Sequence, residues 1–206
     1  MEPQTSGVTT NPSSACQGHR AACNGGQTES TASCQRPAKN GRRYYRPNEV
    51  EALEGEPGRG LFTVSGIDRS LPGDRNSYFE ANHRNKRAIA VDLKHPDGVE
   101  IVRRLTADAD VFLQNFRKGV AERLGLGFED LKKLNPKLIY GSGSGYGPEG
   151  PDAEKPALDS VGQARSGLMY ATGPEGSDPY PVQGVVSDQI GGIMLSWGVL
   201  AALVAR

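Results

Sequence analysis

Between Arg87 and Tyr140 the chain switches repeatedly between two hydrophobic periods, and few folds accept that order. Ala88-Ile89-Ala90-Val91-Asp92-Leu93 reads as a strand. His95-Pro96-Asp97-Gly98 then opens a helix, with Pro96 suited to its first turn. Val99, Val102, Leu105 and Ala109 recur at helical spacing, with Ile101 alongside, and give one apolar face. Asp110–Gln114 is the next strand. Short helices follow at Val120 to Leu124 and Phe128 to Leu134, the second ended by Asn135-Pro136. Lys137–Tyr140 is a third strand. Strand, helix, strand, helix, strand predicts an α/β fold with a parallel sheet and flanking helices. In such sheets ligands gather where the strands end at their carboxyl edge.

The rest of the chain divides at about residue 45. Residues 1–45 are rich in Gly, Ser, Thr, Gln and Asn and nearly empty of apolar side chains. They carry too little apolar surface to offset ordering entropy and are expected to be disordered. Residues 46–206 have globular composition, with a short strand expected near Phe62-Thr63-Val64 and a helix from Val161 to Tyr170. Lys+Arg and Asp+Glu both number 24, for a net charge of zero. That balance gives no support for a nucleic-acid coat or a general membrane-surface binder. Cys16, Cys23 and Cys34 are an odd set without zinc-like spacing, so no metal site is expected. With no signal peptide in view, they predict a reducing cytoplasm. The apolar run Ile193 to Ala205 is too short to cross a bilayer and reads as a buried helix; no membrane association is expected. It ends at Arg206 without a capping Gly, so the natural polypeptide is expected to continue.

Four constellations are candidates for chemistry. The loop Gly141 to Gly147 alternates Gly with Ser and Tyr, which lets backbone pass close to a ligand. It matches neither a phosphate loop nor a dinucleotide fingerprint, and taken alone it reads first as a tight surface loop. The basic run His83-Arg84-Asn85-Lys86-Arg87 is either a phosphate contact or a solvated loop. Asn115-Phe116-Arg117-Lys118-Gly119 follows a strand and is either an ordinary strand-to-helix loop or a binding segment, with Phe116 placed to stack on a flat ring and Arg123 to reach a phosphate. Finally, Asp159 and Asp188 each precede an apolar helix. Each is either an N-cap or an ionised carboxylate able to attack a carbonyl. Free N–H groups and the helix dipole are expected to hold Asp188 ionised.

Taken in order, these segments resemble the family III CoA-transferases, the CaiB/BaiF group. Arg84 to Lys94 resembles that family's Asn-Lys-Arg-Ser-Ile-x-Leu-Asp-Leu-Lys signature. Asp110 to Leu126 (DVFLQNFRKGVAERLGL) and Asn135 to Gly147 (NPKLIYGSGSGYG) resemble two further blocks. The likeness runs from about residue 79 to 206. It implies a Rossmann-like large domain, incomplete here because a second small domain is missing, and an interlocked homodimer in the full-length form. It also implies acyl-CoA and a carboxylic acid as substrates, with no permanently bound cofactor.

By motif position Asp188 is then the nucleophile, Asp159 an assisting acid, and nearby backbone N–H groups the oxyanion donors. Lys94, Asn115, Phe116 and Arg123 would bind CoA, and Gly143 and Gly145 would give the thioester room. An α-methylacyl-CoA racemase is the alternative within the family, but it needs a His where this chain has Leu158. A truncated, non-catalytic fragment is the alternative outside it. The strand, Gly-Pro loop and helix with which the family begins have no counterpart in the first 45 residues, and Pro of the family's Asn-Phe-x-Pro-Gly is Lys118 here.

Overall fold

The computed structural model of the protein describes residues 30–36, 44–64 and 66–206. Nine strands occur among them: β1 (Ser30–Arg36), β2 (Tyr44–Glu51), β3 (Thr63–Val64), β4 (Ile67–Asp68), β5 (Ser70–Leu71), β6 (Arg75–Asn76), β7 (Arg87–Ala90), β8 (Ala109–Gln114) and β9 (Ile139–Ser142). The helices are α1 (Ser77–Asn82), α2 (Pro96–Ala107), α3 (Val120–Arg123), α4 (Phe128–Leu134), α5 (Asp159–Arg165), α6 (Leu168–Ala171) and α7 (Val186–Ala205).

Five strands form one sheet in the order β7-β2-β1-β8-β9. The β2–β7 and β8–β9 pairs are parallel, from Asn48↔Arg87 to Glu51↔Ala90 and from Val111↔Ile139 to Gln114↔Ser142. β1 is antiparallel to both of its neighbours, β2 and β8. Hence β2, β7, β8 and β9 all point one way and a single reversed strand separates the two parallel pairs. The expected parallel sheet is thereby corrected to a mixed one.

The expectation of disorder over residues 1–45 fails for Ser30–Arg36 and for the start of β2. The rest of that stretch lies outside the described residues. STASCQR has one β-branched residue, Thr31, and no alternation, so its own propensity is weak. What makes it a strand is non-local: both of its edges are hydrogen-bonded, from Ser30↔Val50 to Arg36↔Tyr44 on one side and from Ser30↔Gln114 on the other. A pattern read along the chain contains no trace of such partners.

One sheet face carries the core. Val50, Val91, Leu93, Val102, Ala109, Phe112, Leu126, Leu131 and Leu138 pack together there. Phe112 stacks on Tyr140 with ring centroids 5.3 Å apart. α2 covers this face, capped by the His95 side chain with Pro96 in its first turn. Gly98 is required here because a Cβ would overlap the carbonyl oxygen of Asp92. α2 and α4 appear where the apolar spacing predicts them. The helix expected from Val161 to Tyr170 is split into α5 and α6, because Gly167 takes φ 80° between them.

The basic run leading into β7 is partly held by groups on β2: His83 and Lys86 are half-buried, and Arg84, Asn85 and Arg87 are exposed. Glu49 and Glu51, two apart on β2, are both buried. Glu51 takes a bidentate contact from Arg59 (2.8 and 2.7 Å), and that guanidinium holds its carboxyl below the usual range. His83 Nε2 lies 2.7 Å from Glu49 Oε1, Lys86 Nζ lies 3.8 Å from Glu49 Oε2, and Arg87 donates to Asn48 Oδ1 at 2.7 Å. Buried acceptors recruit His83, Lys86 and Arg87, which gives these three a structural role, while Arg84 stays at the surface.

α7 also departs from expectation. It is 20 residues long and starts at Val186, so it is long and apolar enough to cross a membrane by length and composition. None of its residues is buried. Ile193 (62% exposed), Trp197 (67%) and Val204 (89%) face outward. The apolar run predicts burial, but among the described elements β9 and α5 are the main ones packed against the helix.

Candidate active site

The direction of α7 follows from its two ends. Arg206, at its C-terminus, donates to the Lys137 carbonyl at 3.0 Å and to Asp110 Oδ1 at 2.6 Å. Both residues lie at the entrances to β9 and β8. Further back along the helix, Leu195 and Val199 pack beside Gly141, and Leu195 also reaches Gly143 at the end of β9. α7 therefore runs opposite to β8 and β9. Its first turn, carrying Asp188, projects beyond their carboxyl edge, about 10 Å further than Leu195 at 1.5 Å per residue. Residues 188, 195 and 199 share a helical face, so Asp188 borders the side that meets the sheet.

Asp188 is the third residue of α7, not its cap. Val185 holds the N-cap position and supplies no side-chain acceptor. Asp159 does so from the start of α5: its Oδ1 accepts from Ser187 N–H at 2.6 Å and from Asp188 N–H at 3.3 Å. Its Oδ2 accepts from Gln163 Nε2 at 2.6 Å. Of the nearby backbone N–H groups expected as oxyanion donors, those of Ser187 and Asp188 are thus occupied. The surroundings of Asp188 also act against expectation, since they favour its neutral form instead of its charged one. Partial burial, and secondarily the negative charge of Asp159, push its carboxyl above the usual aspartate value.

An open cavity of about 1050 Å³ runs along α7 from Asp188 to Val204, with Asn82 and Lys86 on its opposite wall. Trp197, Ile193 and Leu200 make it mainly apolar. Gln163, Lys86 and Asn82 were not singled out individually as site residues. The signals were the place of Lys86 in the basic run and the i+4 spacing of Gln163 from Asp159; Asn82 carried none.

The remaining candidates divide. Asn115 and Gly143 come together at the ends of the paired strands β8 and β9, with Leu195 beside Gly143. Phe116 packs against the core, its N–H bound to Gln114 Oε1 at 2.6 Å, instead of standing free to stack. Arg123 is exposed and its guanidinium lies over the Gly119 turn, where φ is 77°. Lys94 is exposed beyond β7, three strand spacings (about 14 Å) from β8. The space at Gly145 is taken up by Ala157, whose Cβ would overlap any side chain there. Among the described residues no cluster of His, Cys, Asp and Glu is arranged to hold a metal ion. Cys16, Cys23 and His19 lie outside them.

The sequence model described as CoA-transferase family III matches residues 49–206. An acetyl-CoA:oxalate CoA-transferase of Acetobacter aceti is 44% identical over 135 residues, covering 65% of this chain and 35% of that protein. The human succinyl-CoA:glutarate CoA-transferase is 38% identical over 134 residues, 65% of this chain and 31% of that protein. A crystal structure of a CAIB/BAIF family protein from Brucella suis superposes with a TM-score of 0.68 at 35% identity, covering 76% of this chain and 41% of the other. The chain thus spans about a third of the length of these curated relatives. The matched span contains β7, β8, β9 and the whole of α7, and the chain belongs to CoA-transferase family III.

Proposed function

We propose that this chain carries the nucleophile-bearing part of an enzyme that moves CoA between an acyl-CoA and a carboxylic acid, with Asp188 as nucleophile. The observation that carries the reading is the position of Asp188: an exposed carboxylate in the first turn of α7, beyond the carboxyl edge of β8 and β9, on the rim of an apolar cavity. The relatives' names, which pair an acyl-CoA with oxalate or glutarate, support the substrate class.

In this reaction Asp188 attacks the acyl carbonyl and the C–S bond breaks, giving a mixed anhydride and CoA thiolate. The thiolate attacks the aspartyl carbonyl, the first acid leaves, and an aspartyl-CoA thioester remains. The second acid's carboxylate repeats the two steps in reverse and restores Asp188. No electron or net proton is transferred, so the chain needs only a positioned carboxylate, room for the thioester and a site for CoA. Asn115, Gly143, Lys94 and Arg123 are the proposed CoA contacts. In the full-length protein an interlocked homodimer would complete the site. Racemisation is less well supported because the described histidines are committed elsewhere: His83 to Glu49 and the Phe79 carbonyl, and His95 to the cap of α2.

Incubation with an acyl-CoA should leave a hydroxylamine-sensitive adduct on Asp188, located by peptide mass. Asp188→Asn should abolish it. Equal labelling of the variant would overturn the assignment.

A further inference from the structure

We infer that Asp159 is a positioning residue for the Asp188 helix, serving as the missing N-cap of α7 from another element rather than as an acid that touches substrate. This rests on the transferase reading of Asp188.

A helix leaves its first backbone N–H groups without internal partners. α7 has Val185 where an Asp, Ser, Thr or Asn would serve. The deficit is met across 28 residues of sequence by Asp159 Oδ1, at 2.6 Å from Ser187 N. Three residues on one face of α5 address the approach to α7. Asp159 takes the amides. Gly162, three residues on, lies so close to Ser187 that an added Cβ would stand 2.9 Å from both its Cβ and its Oγ. Gln163, four residues on and 1% exposed, accepts from Val182 N–H at 2.8 Å and donates to the Val182 carbonyl at 3.3 Å. Its amide orientation is therefore settled, and its Nε2 also steadies Asp159 Oδ2. Residues 159, 162 and 163 thus hold both the segment entering α7 and the turn that carries Asp188. With both oxygens so engaged, Asp159 is poorly placed for proton transfer. Its charge instead raises the Asp188 carboxyl, second to burial.

The test compares Asp159→Asn and Asp159→Ala in the 206-residue chain. Asn keeps an acceptor for Ser187 N–H and removes the charge; Ala removes both. Amide hydrogen exchange at Ser187 and Asp188 should quicken about tenfold in Asp159→Ala and much less in Asp159→Asn. With acyl-CoA, Asp159→Asn should label Asp188 at a substantial fraction of the parent's limiting rate, and its pH profile should move to lower pH. Asp159→Ala should label at least about tenfold more slowly. Unchanged exchange in Asp159→Ala overturns the cap whatever the labelling shows. Loss of labelling in Asp159→Asn to the level of Asp159→Ala, with exchange preserved, overturns the positioning role in favour of a chemical one. Failure of the parent chain to label at all, with the exchange difference present, strikes at the transferase reading and leaves the cap standing.

Discussion

Asp159 Oδ1 accepts the backbone N–H of Asp188 as well as that of Ser187, so two carboxylates 29 residues apart share one helix terminus. One carboxylate stabilises the turn and the other is carried by it. Partial burial, and after it the neighbouring charge of Asp159, raise the Asp188 carboxyl above its ordinary value of 3.8. A raised acid loses its charge at a higher pH. The nucleophilic form of Asp188 should therefore disappear on acidification before that of an ordinary aspartate does. The labelling rate followed against pH checks this; a midpoint at or below 3.8 contradicts it.

Gly162→Ala should loosen the contact between α5 and α7. The added Cβ meets Ser187 Cβ and Oγ at 2.9 Å, and the N-terminal turn of α7 must shift. Overpacking of this kind costs about 1–3 kcal/mol. Urea unfolding should show the loss, and exchange at Ser187 should rise with it. An unchanged midpoint would mean that Ser187 rotates away without cost.

The Glu51–Arg59 contact should be visible in the pH dependence of stability. Glu51 is held below its ordinary 4.5 by Arg59, despite the opposing effect of burial. A depressed carboxyl contributes stability above its unfolded value, and the contribution is lost as pH falls through the folded one. Glu51→Gln should flatten the acid limb of a stability profile below about pH 4.5. At neutral pH it should cost roughly 1–3 kcal/mol, since the half-exposed Arg59 regains solvent.

Tyr140 donates to the Leu126 carbonyl at 3.1 Å, and burial pushes its phenol up to about 12. In an absorbance titration Tyr140 should ionise near 12, well above the ordinary phenol value of 10.0. Its neutral form stabilises the fold fully below the ordinary value of 10.0, and that contribution fades as pH rises towards 12. Tyr140→Phe should remove the late step and cost about 1 kcal/mol.

Phe112 is fully buried under α2 and stacked on Tyr140. Phe112→Ala should cost about 3–5 kcal/mol through lost transfer energy and the cavity left behind. Denaturant unfolding measures it; a loss under 1 kcal/mol would mean that the sheet face is not the principal core.

The local elements were legible because their signals are local. Val99, Val102 and Leu105 recur at helical spacing, Pro96 marks the start of α2, and Asn135-Pro136 marks the end of α4. The order of motifs from Arg84 to Asp188 was likewise enough to place the chain in its family. What sequence could not carry were relationships between distant segments. β1 became a strand through partners on β2 and β8, His83 and Lys86 were drawn to Glu49 on β2, and α7 stayed exposed because, among the described elements, β9 and α5 cover only part of it. The role of Asp159 belongs to the same class. A carboxylate before a helix looks like the cap of that helix, and only the packing of α5 against α7 gave its oxygens to the amides of Ser187 and Asp188. Hydrogen-bond and burial partners are chosen by proximity in space, which spacing along the chain does not encode.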